Sequence, residues 1–579
     1  MLSTLPPNTD TVLDWDWGMY KPYFDELLNA SLTEETVFDW LKGWSRLISL
    51  AIEAGSRMHV AHTIDTNDAM AEQRFHFFIQ EVRPEIERAD NELNKRFLAS
   101  GLEPQGFEMA LKAMRADDEN FAEENLPLLA EEATLELRYN KIMSEQTIEW
   151  EGEERTLWQI GKVSQNPDRA LREKAWRMAS DRMLQDREAV NENYVKLLDL
   201  RQRIARNAGL PDYRAYIWNE KRRFDYSPED CVTFQNAIEE VVVPAAGRLY
   251  EKTRAALGVE TLRPWDINTN PINNVDQAVD PFGRPPLAPF ADGSDLAKKA
   301  QQVLTQVDRD FGDYLKTMID EGLLDLDNRK GKAPGGYCTS FPVRKRPFIF
   351  MNAVGIHQNV VTMLHEAGHA FHAFEASTIP YHLQRRAPME FNEVASMAME
   401  LLSAPYWQKE HGGYYDELDY VRARTEHLQR IIMFWPYMAV VDAFQHWVYS
   451  NVEVASDPAN LDAKWGELWD RFMPHVDWTD LEVHKVTGWH RKQHIHRAPF
   501  YYVEYGMAQL GAVQVWANAL KDQEAAVAAY RSALEIGGRE PLPKLFEAAG
   551  ARFAFDTDIL KMAVDLIEET LTSLNAKMN

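Results

Sequence analysis

Apolar residues recur at steps of three and four along most of this chain. That is the period of helices with one buried face. Val37, Leu41, Trp44 and Leu47 set such a run. It follows Ser31-Leu32-Thr33-Glu34, which has the spacing of a capping box. Residues 1–17 read as an irregular lead-in. From there to about residue 146 the pattern predicts helix after helix, broken at residues 101–105 and 125–127. Residues 168–207 read as a long, charged helical stretch ended by Gly209-Leu210-Pro211, with a solvated face laced by pairs four residues apart. Another helix follows Ser227-Pro228, and beyond Pro405 the pattern is helical to the end. The aromatic-rich run 420–449 reads as core.

Alternation at period two is rare. Residues 147–157 alternate about an acidic-glycine turn, which predicts a short hairpin. The clearest strand is 347–351, beside the turn Gly335-Gly336-Tyr337-Cys338. Residues 263–294 are rich in Pro, Gly and Asn and predict a long loop, which Trp265, Phe282 and Phe290 tie to a core. The expected fold is mostly α with a small sheet. The expected division is an N-terminal helical lobe, 1–145, and a region carrying the chemistry, 146–579.

Composition narrows the function classes. A chain of 579 residues exceeds one ordinary core, and 45% hydrophobic residues is a globular value. The net charge of −27 repels nucleic-acid phosphates and anionic membranes, so neither is an expected partner. Two cysteines are no disulfide framework and fit a reducing cytoplasm. No signal-peptide pattern and no long apolar run is read, so a cytoplasmic protein is expected.

The chemistry concentrates in 360–400. His365-Glu366-Ala367-Gly368-His369 is an H-E-x-x-H motif. Val360, Val361, Leu364, Ala367, Phe371 and Phe374 place it on an amphipathic helix. Residues four apart share a face, so His365 and His369 can hold one zinc ion, and Glu366 can reach an activated water as general base. A catalytic zinc site needs a third protein ligand and one open position. Glu393 is the best candidate, with Glu390 on nearly the same face. Glu375 is too near along the first helix to fold back. Glu400, two turns on, can hydrogen-bond a ligand imidazole. His372 is expected to cap or pack.

A second cluster, residues 489–511, holds His494, His496, Tyr501, Tyr502 and Tyr505. Amide hydrolysis builds negative charge on the former carbonyl oxygen, and Tyr hydroxyls and a His N–H are suited to stabilise it. Tyr501 and Tyr505 are four apart and can face one cleft, and Tyr502 can stand in for Tyr501. The strand before the motif can form a cleft wall whose exposed edge accepts a substrate peptide, which makes Gly336 and Tyr337 candidate substrate contacts. Cys338 reads as a small buried residue.

Together, H-E-A-G-H, the Glu393-x-x-Ser396-x-x-x-Glu400 pattern, the Gly336-Tyr337-Cys338 loop and the run from His494 through Pro499-Phe500-Tyr501-Tyr502 to Tyr505 resemble the oligoendopeptidase F group of the thimet-oligopeptidase family. The resemblance covers roughly 145–570. It implies a two-lobed, clam-like helical fold with a deep substrate channel and one zinc ion. It implies ligands His365, His369 and Glu393, the base Glu366, and donors drawn from the late cluster, with His494, Tyr501 and Tyr505 favoured and His496 the alternative. Short unstructured peptides are the implied substrates. No oligomeric state is read from the sequence.

Two rival readings remain at this level. One is a zinc carboxypeptidase or dipeptidyl carboxypeptidase, which needs a cationic site for a terminal carboxylate, supplied by Arg385-Arg386 or Arg344-Lys345-Arg346. The other is a silent helical peptide-binding protein, against which the intact Glu366 argues.

Overall fold

A computed structural model describes residues 1–161, 163, 166–267 and 284–576. Phe282, expected to anchor the 263–294 loop, lies outside the described residues. Among the described residues the chain is mostly helical, with two small sheets. No helix among them is long and apolar enough to cross a membrane.

Helix α1 spans Val37–Ile64. The expected capping box does not form. Thr36 Oγ1 accepts from the Thr33 amide at 3.0 Å and donates to the Ser31 carbonyl at 2.8 Å. Local hydroxyl-to-backbone bonds thus close a turn of their own, and the helix starts three residues after Glu34. The expected hairpin is present as β1 (Thr147–Trp150) and β2 (Glu153–Thr156), with Thr147 opposite Thr156 and Trp150 opposite Glu153. Glu151 and Gly152 both have positive φ, 54° and 82°, as a two-residue type I′ turn requires.

The charged stretch is two helices, α2 (Arg169–Gln185) and α3 (Arg187–Asn207), separated at Asp186. Pairs such as Lys196–Glu192 at 2.7 Å line its surface. Not every charge is solvated, however: Arg201 is 0% exposed and is held by Glu132 at 2.6 Å. Helix α4 (Pro228–Ala237) starts with a true capping box between Ser227 and Asp230.

Strands β3 (Leu324–Asp327), β4 (Tyr337–Phe341) and β5 (Arg346–Ala353) follow. Their order is β3-β5-β4, with β5 parallel to β3 and antiparallel to β4. The central strand β5 carries the predicted 347–351 run, all of it buried. Strand β4 lies at an edge. Then come α5 (His357–Ala376), α6 (Met389–Ser403), α7 (Glu417–Ser450), α8 (Gln493–Arg497), α9 (Tyr502–Ala519) and α10 (Gln523–Ile536).

The chain forms two compact units of interleaved segments. The first comprises Met1–Asp118, Ala288–Tyr420 and Gly511–Phe553, and the second Glu119–Leu287, Val421–Leu510 and Ala554–Asn579. The boundary expected near residue 145 falls inside the second unit.

Within the first unit α5 packs on β4 and β5 and against α6. Its start is fixed by Asn359, whose Oδ1 accepts from the amides of Val354 at 2.9 Å and Ile356 at 3.3 Å. The α5–α6 contact is unusually close at Gly368. A Cβ there would stand 2.5 Å from the Ala395 carbonyl oxygen and 2.6 Å from Ser396 Cα. Both are backbone atoms, so no rotamer change relieves the clash. Tyr530 of α10 donates to the same Ala395 carbonyl at 2.6 Å, which ties α6 to a third helix.

Gly368→Ala should therefore force the two helices apart. The expected cost is about 1–3 kcal/mol, read as a lower midpoint in denaturant, together with weaker metal binding. An unchanged midpoint and unchanged metal affinity would show that the close approach is not required.

Candidate metal centre and active site

Helix α5 delivers His365, Glu366 and His369, and α6 delivers Glu393 and Glu400. The Glu393 Oε2 atom lies 3.4 Å from His365 Nε2 and 3.7 Å from His369 Nε2. Donors bound to zinc at about 2.0–2.1 Å in a tetrahedron stand about 3.3–3.4 Å apart. Two of the three donor–donor distances are therefore close to the edge length of a zinc site, and all three ligand atoms lie within 4.8 Å of one another. The donor set, two imidazoles and one carboxylate, fits a catalytic zinc centre with one position left open. The side chains of His365 and His369 are 22% and 24% exposed while Glu393 is 6%. The accessible face is the one bounded by the imidazoles.

The surroundings hold these ligands in place. His365 Nδ1 lies 2.7 Å from Glu400 Oε1, which fixes the ring and leaves Nε2 for the ion. Ser396 Oγ donates to Glu393 Oε2 at 3.0 Å. The sequence pattern contains Ser396, yet spacing alone gives it no role; it orients the third ligand. Gly368 was equally silent in the sequence, although it sits within the motif.

Electrostatics follow from burial and close packing of charge. Burial disfavours a charged His365, but hydrogen bonds and charge from Glu393 and Glu400 outweigh it and raise its pKa well above the usual value. Burial opposes the Glu393 carboxylate too, and there His365 prevails, so that its pKa falls. Burial, with His365 adding, lowers His369 to about 4. Glu366, 9% exposed, is pushed up to about 7, mainly by burial.

The competing candidates have other partners. Glu375 pairs with Arg531 at 2.9 Å. His372 is buried edge-on against Phe391, and burial lowers it to about 4. Glu390 is 2% exposed and lies outside the group that converges on the two imidazoles. Three of the five cationic candidates for a terminal carboxylate, Arg344, Arg346 and Arg385, are also engaged. Arg385 donates to the Ile379 and Pro380 carbonyls and to Ser49, and Arg344 and Arg346 pair with Glu321.

Cys338 on β4 lies within electrostatic reach of Glu366. Burial, with Glu366 adding, keeps its thiol protonated. The Tyr337 side chain, expected at substrate, is instead a packing group. Its hydroxyl meets Thr63 Oγ1 at 2.6 Å and its ring stacks on Phe350 at 4.9 Å. The backbone of this edge strand begins just after the exposed Gly336.

The second unit holds the late cluster. His496, expected at substrate, is 0% exposed and stacked on Tyr139 at 4.0 Å, and so belongs to the core. His494 stacks with Tyr501 at 6.0 Å, and burial first, then Lys492, Lys221 and Arg497, lower it to about 3. It is thus a neutral imidazole with an N–H to give. The hydroxyls of Tyr501 and Tyr505 are 3.3 Å apart. Tyr502 packs on Phe434 and lies under the Lys492 ammonium, 3.5 Å from its ring centre. The residue before Tyr501 is strained: Phe500 has φ 60°. Gln445 accepts from its amide at 2.8 Å and Arg223 donates to its carbonyl at 2.5 Å, which holds that conformation.

Comparison with known proteins gives a consistent result. Residues 163–564 match the model of peptidase family M3, and residues 14–111 match the peptidase M3 N-terminal domain. A stretch of 159 residues is 26% identical to the chromosomal oligoendopeptidase F of Lactococcus lactis subsp. cremoris; it spans 27% of this chain and 24% of that protein. The structure of PZ peptidase A with an inhibitor superposes over 96% of this chain and 97% of that one, with TM-score 0.84 and 27% identity. Oligoendopeptidase F from Enterococcus faecium, 14% identical over 98% of this chain and 99% of its own, shares the fold with TM-score 0.61.

Glu400→Gln should lower metal affinity about 10–100-fold, because the outer nitrogen of His365 loses its carboxylate. Titration against a chelator measures this. Glu393→Ala should abolish stoichiometric binding and Glu390→Ala should not; the reverse result would move the third ligand to Glu390.

Proposed function

The chain belongs to peptidase family M3, and from that premise we propose that it is a zinc-dependent oligopeptidase hydrolysing internal bonds of short, unstructured peptides. The observation that carries the reading is the convergence of ligand atoms from His365, His369 and Glu393 within 4.8 Å of one another, beside a buried glutamate. Zinc held there would supply a Lewis acid and lower the pKa of a water toward about 7.

The protein's own groups do the rest. Glu366 takes the proton of the attacking water on a carboxylate oxygen and returns it to the leaving amine. Its burial, which raises its affinity for a proton, supports the second transfer. Glu400 and Ser396 hold His365 and Glu393 while charge shifts. An extended peptide adds to the β4 edge through main-chain hydrogen bonds. His494, Tyr501 and Tyr505 are the proposed donors to the developing oxyanion. Their support is the neutral His494 ring and the shared hydroxyl contact of the two tyrosines. A cytoplasmic setting is part of the proposal, supported by only two cysteines in 579 residues.

An endopeptidase agrees better with the arginines than a carboxypeptidase does, because Arg344, Arg346 and Arg385 are bound to groups of the protein itself.

A library of short peptides, with free and amidated C-termini, followed by mass spectrometry, tests this reading. Internal cuts at equal rates on both termini are expected, lost with chelator and restored by zinc. Glu366→Gln should keep zinc and lower kcat about 10²–10⁴-fold. A fully active variant with intact metal would remove Glu366 from its role, and dependence on a free carboxylate would favour the carboxypeptidase. Tyr501→Phe and Tyr505→Phe should each lower kcat about 10²–10³-fold with little change in KM. A pure KM effect would make them binding groups only.

A further inference from the structure

A second convergence of ligand-type side chains lies in the core of the second unit, and it shares no residue with the site above. Helix α4 carries Cys231 and Gln235, four apart, and α7 carries Asp442 and His446, also four apart. Each pair therefore shares one helical face. One ligand atom from each of Cys231, Asp442 and His446 falls within 4.8 Å of the others, and all three residues are buried. His446 Nε2 is 3.5 Å from Asp442 Oδ2. Gln235 Nε2 donates to the same Oδ2 at 2.7 Å.

The hydrogen bonding there is incomplete. Asp442 is 0% and His446 6% exposed. Oδ1 of Asp442 and both ring nitrogens of His446 have no hydrogen-bond partner. The His446 ring faces aromatic edges instead, Trp218 at 5.8 Å and Phe500 at 5.0 Å. Buried polar atoms are normally satisfied, and orphans at this density call for an explanation such as an ion.

We propose that Cys231, Asp442 and His446 hold a second divalent transition-metal ion at a buried structural site. Thiolate and imidazole favour zinc over magnesium or calcium. On binding, the Cys231 thiol gives its proton to solvent and forms the sulfur–metal bond, while His446 binds through a neutral ring nitrogen. One thiolate and one carboxylate then cancel the charge of the ion, which is what a core site needs. Gln235 orients the carboxylate, as groups around metal ligands do. The ion joins α4 to α7 beside Phe500, the strained residue that leads into Tyr501. It is thereby a brace under the His/Tyr cluster, with no part in bond cleavage.

The test uses the full-length chain with His365→Ala and His369→Ala, which removes the first centre. Loaded with cobalt(II), this variant should bind one ion per chain and show a thiolate-to-cobalt absorption band in the near ultraviolet. Adding Cys231→Ser should abolish the band, and adding Cys338→Ser, at the one other cysteine, should not. Wild-type protein should bind two ions. No bound cobalt in the double variant, or a bound ion with no thiolate band, or a band lost with Cys338→Ser, would overturn the proposal. If Cys231→Ser does not fold, the Cys338→Ser arm and the thermal midpoint of the double variant decide: zinc should raise that midpoint, and an unmoved midpoint counts against the site. A wild type holding one ion, with the thiolate band kept in the double variant, would leave this site standing and remove zinc from the first.

Discussion

The chemistry of this protein depends on how closely two helices approach. Two imidazoles on one helix can supply two of the three protein donors of the proposed metal site, and the third has to come from elsewhere. It comes from α6, which lies so close to α5 that only glycine fits at position 368. The absence of one methyl group thus sets where Glu393 stands. Everything that tunes the site, Ser396 on Glu393 and Glu400 on His365, is spaced along the same face of α6 and inherits that placement. The sheet below and Tyr530 beside it fix the pair as a unit.

That packing has an electrostatic price. Three carboxyl groups and two imidazoles share a small, mostly buried volume. Without a cation, the groups compensate each other by shifting protons: His365 gains affinity for one, His369 loses it, and Glu366 keeps its proton to higher pH than an exposed glutamate. A dication placed among these donors relieves the crowding that burial creates. Without a cation the site holds that imbalance as shifted proton affinities.

Much of this was legible from residue order. The H-E-x-x-H helix, the hairpin with its acidic-glycine turn and the buried strand 347–351 each carry a local signature, and the structure contains all three. What escaped was set by partners far away in sequence. Periodicity cannot show that Gly368 meets Ala395, or that Tyr337 is bound to Thr63. His496 looked like a polar group near substrate because the pattern holds no mark of Tyr139, which stacks on it. Arg201 sits in a run of charges that reads as solvated, yet its guanidinium is enclosed because Glu132, Tyr449 and the His496 carbonyl come to it from three other segments. The capping box failed for a local reason: Thr33 and Thr36 offered each other a competing turn. Strand β3, four residues long, is too short to leave an alternation, and its pairing to β5 defines it.

The interleaving of the two units bears on how the protein is made. The first unit needs Gly511–Phe553 and the second needs Ala554–Asn579, so each is completed by a segment made long after its first one. The H-E-x-x-H helix emerges well before α10, whose Tyr530 supplies the last hydrogen bond to the backbone of α6. Domains usually fold in the order in which they are synthesised, and that order is closed to this chain. Long-range closure of this kind is slow, because distant segments must meet before either is rewarded. The H-E-x-x-H helix is therefore synthesised before the Tyr530 contact that holds the neighbouring α6 backbone can form.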